Sequence, residues 1–529
     1  MKTQEAEQGA MDMSRWLNRT ELLLPLLALL PLLAYPPLEW AVAGWVGLTP
    51  LLLLLKHGPG HLRSWLVAGW GFGVVFHAIQ FSWVHRTLVE LGGMPAPSFI
   101  AFAVGMLAFL ALFSALVIAG SRWVWIRLGI SPYLAFPVLL SLQDILLGRF
   151  PFGGMPWGSL AGTQTPSLAA QIVVPITGGA GLVLLLAAVN AGWAWAYEGF
   201  SRSLRRALGR LAVLACITIL LLQTWPLPMW DGTGRSSFSA LLIPGNFSNR
   251  DTSGRESRMR GFVARTLAEI GRLERDGARG RPPGEGPKAG VADLIVWPEG
   301  AVQGYVASGK HLMELSQLAA LLDADFLLGS DSHGLGGDYN SSYLVTAGRF
   351  DFKRYDKREL VPFGEYVPAG FRWFFGKKVT RGERDYLAGK GIPVLPWQGR
   401  LIGLAICFES ILPGHMRRAA SDGAEVIVTI ANDHWLTPAA RLQHLRLSAL
   451  RALEIGRDLL FVSNGGWSAH VARGRVVTSA NREMQALLVR PLLRNGTTPW
   501  VRWGYLPFAV LLAGMACVVL LLKHRQGRA

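Results

Sequence analysis

Leu401-Ile402-Gly403-Leu404-Ala405-Ile406-Cys407-Phe408-Glu409 is an apolar run of strand length that ends on a thiol followed closely by a carboxylate. Cys407 is the one cysteine in the polar stretch 227–502; Cys216 and Cys517 lie in long hydrophobic runs. A lone thiol cannot be half of an internal disulfide, so it is either an inert core residue or a nucleophile. The residues around it decide between the two.

Outward from this run, the stretch 227–502 alternates short β-rich segments with helical patterns, the mark of α/β layering. Candidate strands are 241–243, 294–297, 326–329, 343–346, 401–406, 426–430 and 459–462; helical periodicity covers 255–275, 310–322 and 440–456. No internal repeat is visible.

Both flanks are apolar. With 51% hydrophobic and 16% charged residues, the composition is that of an integral membrane protein. Apolar runs at 22–37, 40–55, 65–88, 98–119, 122–148, 170–197, 209–226 and 503–522 predict eight spanning helices. Pro36-Pro37 leaves the first two open to a reading as one re-entrant hairpin, and Pro132 and Pro137 interrupt the fifth. The expected organisation is a membrane domain over 1–226 with seven transmembrane helices, an inserted domain over 227–502, and a last transmembrane helix with its tail over 503–529.

Fourteen Lys and Arg, from Lys2, Arg15 and Arg19 through Arg122 and Arg205 to Arg528, fall on one side of these spans, against Arg86 and Arg149 in the short loops of the other. Cytoplasmic flanks retain such charges, so both termini are expected in the cytoplasm and 227–502 on the outer face, the periplasm of a bacterium. Residues 1–20 are polar and lack a cleavable signal pattern, so the first helix is expected to stay. Much of the net charge of +17 is this topological signal, and no nucleic-acid partner is expected from it. The Arg-rich run 250–281 reads as a solvated helix face leading into the linker-like 280–287, with attraction to anionic headgroups as a second reading.

Three segments set reactive side chains just past strand ends: Trp297-Pro298-Glu299, then Tyr355-Asp356-Lys357 running on to Leu360-Val361-Pro362-Phe363-Gly364-Glu365-Tyr366-Val367-Pro368, then Ile406-Cys407-Phe408-Glu409. A carboxylate, an ammonium and a thiol are the parts of an acyl-transfer site. The carboxylate takes the thiol proton, the thiolate attacks a carbonyl, and the ammonium stabilises the oxyanion. Each alone reads equally as a surface charge or a buried small hydrophobe. His415, His434 and His444 form no recognisable ligand spacing, so no metal is expected.

In this order the three segments resemble the nitrilase superfamily, whose Glu, Lys and Cys sit on an αββα sandwich. With its membrane frame, the chain as a whole resembles the apolipoprotein N-acyltransferase family, the membrane-embedded branch in which that sandwich is inserted between transmembrane helices 7 and 8. The likeness takes in Asn432-Asp433-His434-Trp435, Gln443-His444 and Arg451-Ala452-Leu453-Glu454, and more softly Gly44-Trp45, Trp83-Val84 and Pro156-Trp157-Gly158. Phe408 stands where the family often has Tyr, and no tryptophan follows Pro244-Gly245-Asn246 as far as Ser253.

The resemblance implies that Cys407 is the acylated nucleophile, Glu299 the general base and Lys357 the oxyanion stabiliser, with Glu365, Glu409, Phe408 and Trp435 supporting or contacting substrate. It implies no cofactor. The acyl donor would be a membrane phospholipid and the acceptor the N-terminal amine of a diacylglyceryl-modified apolipoprotein, at a bacterial inner membrane. The aromatic and basic stretch Phe371 to Lys378 reads as a lid at the lipid interface or as a packed helix end. Two other readings share the fold: a nitrilase-type amidase, and a membrane component of a transfer or assembly system that tolerates loss of Cys407.

Overall fold

A computed structural model describes residues 24–58, 60–201, 203–224, 238–247, 255–279, 290–306, 309–349, 351–376, 378, 384–480 and 485–526. Lys2, Arg15, Arg19, Arg202 and Arg528, the run Asn249 to Ser253, the linker-like 281–287 and Lys377 lie outside them.

The Leu401–Ile406 run is a strand, and its neighbours explain its composition. Thirteen strands are described: β1 (Ala240–Leu242), β2 (Leu294–Val296), β3 (Val302–Tyr305), β4 (Asp325–Gly334), β5 (Gly337–Val345), β6 (Phe352–Asp356), β7 (Val394–Trp397), β8 (Arg400–Ile406), β9 (Val426–Asn432), β10 (Leu459–Asn464), β11 (Ser468–Ala472), β12 (Arg475–Ala480) and β13 (Leu487–Val489). They form two sheets, ordered β13-β1-β2-β4-β5-β6 with β3 beside β4, and β12-β11-β10-β9-β8-β7. The central strands β1-β2-β4 and β8-β9-β10 run parallel, β3 lies parallel to β4, and the remaining neighbours pair antiparallel.

Strands alternate their side chains between faces, and here both faces are dry. Ile402, Leu404 and Ile406 of β8 and Val426, Val428 and Ile430 of β9 pack against Leu242, Val296, Leu327 and Leu344 of the other sheet. The opposite-facing Ala405, Ile427 and Ala431 meet Met416, Ala419, Leu445 and Ala449 of helices Pro413–Ser421 and Pro438–Ile455. Helices Arg255–Arg279 and Lys310–Leu322 cover the outer face of the first sheet with Phe262, Leu315 and Ala319. The result is the four-layer αββα sandwich. Gly403 sits where a Cβ would run into Ile427 Cδ1 of the paired strand β9 and fall 2.8 Å from Ala424 Cβ just before it, with Ala419 Cβ of the covering helix 3.4 Å away, so glycine is what fits between strand and helix.

Among the described residues three helices are long and apolar enough to cross a membrane: Leu62–Gln80, Ala96–Leu128 and Leu168–Glu198. Shorter apolar helices cover 41–57, Pro132–Leu147 and 506–519. The expected spans 98–119 and 122–148 divide differently, at Gly129 in the left-handed region (φ 62°) rather than near Arg122. Arg122 does not end its helix because its guanidinium donates to the carbonyl oxygens of Leu55 (2.8 Å) and Gly58 (2.8 Å) at the end of a neighbouring helix. The described residues of the runs 22–37 and 40–55, from Leu24 on, fold as short helices broken at Pro36-Pro37 and Gly47.

One helix of the sandwich seats the two parts on each other. Gln443 Nε2 donates to Gln80 Oε1 (2.7 Å) and to the carbonyl of Trp157 (2.5 Å). Three turns on, Glu454 Oε1 accepts from Arg451 (2.6 Å) and from the backbone N–H of Gly179 (2.7 Å). That N–H is free of the helix ladder because Gly178 is non-helical (φ 72°), and Trp500 fills the space a Cβ at Gly178 would need. The glycine contact at β8 leads to a first prediction: Gly403→Ala lowers stability by about 1–3 kcal/mol through overpacking, read as a lower unfolding temperature. An unchanged unfolding temperature would contradict the packing described.

Candidate active site

Glu299 follows β2 at a tight turn. Gly329 of β4 lies so close that a Cβ there would fall 2.6 Å from the Glu299 Cα, so glycine is what lets the turn descend onto the sheet. Behind it Trp297 is fully buried, stacked on Phe262 with its Nε1 donating to Thr266 Oγ1 (3.0 Å). Lys357 leaves β6 fully buried, its N–H held by the carbonyl of Asn340 (2.8 Å). Its Nζ donates to Glu365 (3.0 Å) and lies 3.9 Å from Glu299 Oε1. Glu365 closes the turn after Leu360, its Oε2 accepting from the N–H of Val361 (2.8 Å).

Asn340, which the sequence reading passed over, is the hub of this cluster. Its Nδ2 donates to Glu299 Oε1 (2.6 Å) and to Glu365 Oε1 (2.8 Å). It reaches them from β5, opposite Asp331, through an antiparallel pairing with β4 that no local motif announces.

Cys407 stands at the end of β8 with φ 54°, a left-handed conformation costly for a residue with a Cβ. A 3-10 turn, Cys407–Ile411, follows. Glu409 holds it from inside the protein. One carboxylate oxygen accepts from Tyr355 Oη (2.7 Å) and the N–H groups of Arg358 (2.8 Å) and Glu359 (3.1 Å), and the other from the N–H of Ile406 (2.8 Å). This one buried carboxylate ties the strand bearing the cysteine to the loop bearing the lysine.

Asp433 and His444 complete the surroundings of the thiol. His444 Nδ1 is 2.7 Å from Asp433 Oδ1, and a donor atom of each lies with Cys407 Sγ inside a 4.8 Å cluster. His415 lies behind the turn, with Nε2 bonded to the carbonyl of Leu404 (2.9 Å) and Nδ1 3.7 Å from Glu409 Oε1. Phe408 and Trp435 line a cavity of about 760 Å³ that Cys407, Lys357 and Glu299 also line. Its walls include Phe102, Phe109 and Trp157 of the apolar helical part, and Phe363, Phe371 and Phe375 of the sandwich. The short helix Arg372–Phe375 closes one side, with Phe375 against Phe363 (4.7 Å) and Phe102 (5.3 Å), while Trp373 is 83% exposed.

The charges work against one another in a dry setting. Burial pushes the Cys407 thiol well above its ordinary value, Glu299 adds to that push and Lys357 opposes it. Burial likewise lifts the Glu299 carboxyl above the usual carboxylate range, although the Lys357 ammonium pulls it down. Burial favours the neutral amine of Lys357, but Glu365 and then Glu299 outweigh it and hold the ammonium above the ordinary lysine value. The site therefore offers a neutral thiol, a base of raised basicity and a permanent cation. Such a set suits attack on a carbonyl in which the proton leaves as the bond forms.

If Glu299 is the base for Cys407, its titration sets the pH dependence. Thiol acylation should rise with pH through the raised Glu299 pKa, since the protonated carboxyl cannot accept the thiol proton. In Glu299→Gln that limb should vanish and the rate fall by about 10²–10⁴-fold; a single-turnover pH profile checks both. Glu409→Gln must turn an amide N–H toward at least one buried donor and should cost about 1–3 kcal/mol, measured by chemical denaturation.

Residues 27–192 match the family model described as the apolipoprotein N-acyltransferase N-terminal domain, and residues 284–500 match that of carbon-nitrogen hydrolase. The apolipoprotein N-acyltransferase of Vibrio vulnificus is 28% identical over 513 residues, covering 91% of this chain and 92% of the relative. That of Geobacter metallireducens is 28% identical over 523 residues, covering 96% of each. That of Azotobacter vinelandii is 29% identical over 537 residues, covering 95% and 94%. Two family models in tandem, and relatives aligned along nearly the whole length, agree: along nearly all of its length the chain is similar to the apolipoprotein N-acyltransferases.

Proposed function

We propose that this chain moves a fatty-acyl group from a membrane phospholipid, through a thioester on Cys407, to the N-terminal amine of a diacylglyceryl-modified apolipoprotein. The observation that carries this reading is the cavity. A thiol, carboxylate and lysine that would suffice for hydrolysing small amides here line an aromatic, hydrocarbon-sized space walled partly by apolar helices.

In the first step Glu299 takes the thiol proton as Cys407 Sγ attacks the ester carbonyl. Lys357 faces the oxygen that becomes negative, and the departing lysophospholipid alkoxide recovers the proton from Glu299. In the second step the lipoprotein amine attacks the thioester, Glu299 accepts the amine proton, and the thiol is released as the amide forms. Glu365 and Asn340 keep Lys357 and Glu299 apart and oriented, Glu409 holds the cysteine turn, and Phe408 and Trp435 flank the acyl chain.

The same reading divides the chain into a membrane domain (1–226), a periplasmic catalytic domain (227–502) and a final membrane helix with a cytoplasmic tail (503–529), in a bacterial inner membrane. Its support is the asymmetry of positive charge along the sequence. Phe371 to Phe375 then sit at the lipid interface, with Trp373 directed outward.

The second step distinguishes this reading from an amidase. Acyl-enzyme chased with a diacylglyceryl-cysteine peptide should transfer its acyl group to the peptide's free α-amine, and should not do so when that amine is acetylated. Loss of the acyl group to water at the same rate with either peptide would favour hydrolysis. Replacing Trp373 and Phe374 with Ser should slow acylation from bilayer phospholipid several-fold while leaving a short-chain soluble ester unaffected; equal rates from the bilayer would exclude the interfacial role of this helix.

A further inference from the structure

The catalytic cycle just described gives no part to Asp433 or His444, although both are buried and crowd the thiol. Cys407 occupies a left-handed backbone conformation, and such strain persists only where the surroundings over-determine it. Glu409 restrains the turn on its N-terminal side, through the N–H of Ile406. On the other side the Cys407 carbonyl is met by Ser410 Oγ (2.8 Å) and by His444 Nε2 (3.2 Å). The two groups also touch each other, with Nε2 3.1 Å from Ser410 Oγ, and Ser410 Oγ lies 2.8 Å from Ser448 Oγ.

The imidazole has little freedom to leave. Asp433 Oδ1 holds Nδ1 at 2.7 Å, Phe461 packs edge-on at 5.2 Å and Trp157 lies at 6.3 Å. The carboxylate orients the ring with Nδ1–H toward Asp433, which leaves Nε2 aimed at the cysteine turn. Nε2 donates to that carbonyl when it carries a proton; without one it can only accept from Ser410 Oγ, whose single hydrogen then no longer serves the carbonyl. The neighbouring Gln443 is bonded to Gln80 and to Trp157 of the apolar helical part, so the histidine is carried on a helix fixed at the junction.

We propose that Asp433 and His444 are positioning residues, a buried carboxylate–imidazole pair that holds the backbone of Cys407 in its left-handed turn so that the thiol faces Glu299 and Lys357. The proposal rests on the reading of Cys407 as the nucleophile.

The test compares His444→Ala, His444→Gln and Asp433→Asn in the full-length protein. Three quantities are read: the rate of Cys407 alkylation by iodoacetamide followed by peptide mass, the rate of acylation by phospholipid, and the lipid concentration for half-maximal rate. A misplacement of the order of 1 Å costs about 10²-fold in rate. His444→Ala should therefore slow alkylation and acylation together, by about 10–100-fold, with the half-maximal lipid concentration changed less than about threefold. His444→Gln, whose amide N–H can reach the same carbonyl, should recover part of the loss, and Asp433→Asn should lie between wild type and His444→Ala.

Alkylation within twofold of wild type in His444→Ala would overturn the proposal, as would a loss that resides wholly in the lipid concentration or that glutamine does not relieve. Should His444→Ala fail to fold, Asp433→Asn decides, because it keeps the shape and weakens only the orienting bond; wild-type alkylation there overturns the pair's role. Iodoacetamide needs no acyl donor. Alkylation that depends on His444 in a protein that forms no acyl-enzyme would sink the acyltransferase reading and leave this one standing.

Discussion

Burial of the Lys357 ammonium organises this molecule. A cation removed from water is costly unless opposite charges and hydrogen-bond acceptors surround it. Here Glu365 bonds it directly and Glu299 lies 3.9 Å away. Two carboxylates around one cation repel each other, and Asn340 relieves that by donating to both from one amide. Satisfying this cluster requires the loop after β2, strand β5 and the turn after β6 to converge at one point, and the sandwich supplies the convergence. The cysteine turn joins through Glu409, which accepts hydrogen bonds from the lysine loop and from β8 at once. Loss of any member leaves buried polar groups unpaired, so catalysis and local stability are coupled here.

The same logic extends toward the apolar helices. Helix Pro438–Ile455 carries Gln443 and His444 near its start and Arg451 and Glu454 near its end. Its polar side chains therefore fasten the Cys407 turn, the helix junction and the buried N–H of Gly179 along a single rigid element. An enzyme whose substrates are anchored in a bilayer needs its nucleophile at a fixed height relative to the lipid. A helix bonded at both ends provides that, and on the proposed reading the aromatic cavity lined by both parts holds the acyl chain beside Cys407.

Legibility in the sequence followed the physics of each element. Strands β8, β9 and β10 were readable because burial on both faces demands continuous apolar runs. The edge strands β3, β6, β7, β12 and β13 and the inner strand β11 escaped, being short or polar, as did the half of β4 that runs through Ser330, Asp331 and Ser332. Helix Pro413–Ser421 was hidden by its Pro-Gly opening and its polar face. Glu299, Lys357, Glu365, Cys407 and Glu409 stood out because each lies in a dense local motif. Asn340 did not, since its position follows from register between β4 and β5. Asp433 and His444 were visible as residues, but their contact with the thiol arises only when β9 and the following helix pack beside β8. Arg122 suggested a helix end, and the carbonyl oxygens of a neighbouring helix supplied it with partners instead.

The central claim is that Cys407 takes an acyl chain from a phospholipid. Intact-mass analysis of the purified protein after incubation with phosphatidylethanolamine tests it most directly. The account predicts a gain of one fatty-acyl mass that hydroxylamine removes and that Cys407→Ala lacks. Folded protein that gains no mass from accessible lipid, or a gain that persists in Cys407→Ala, would contradict it.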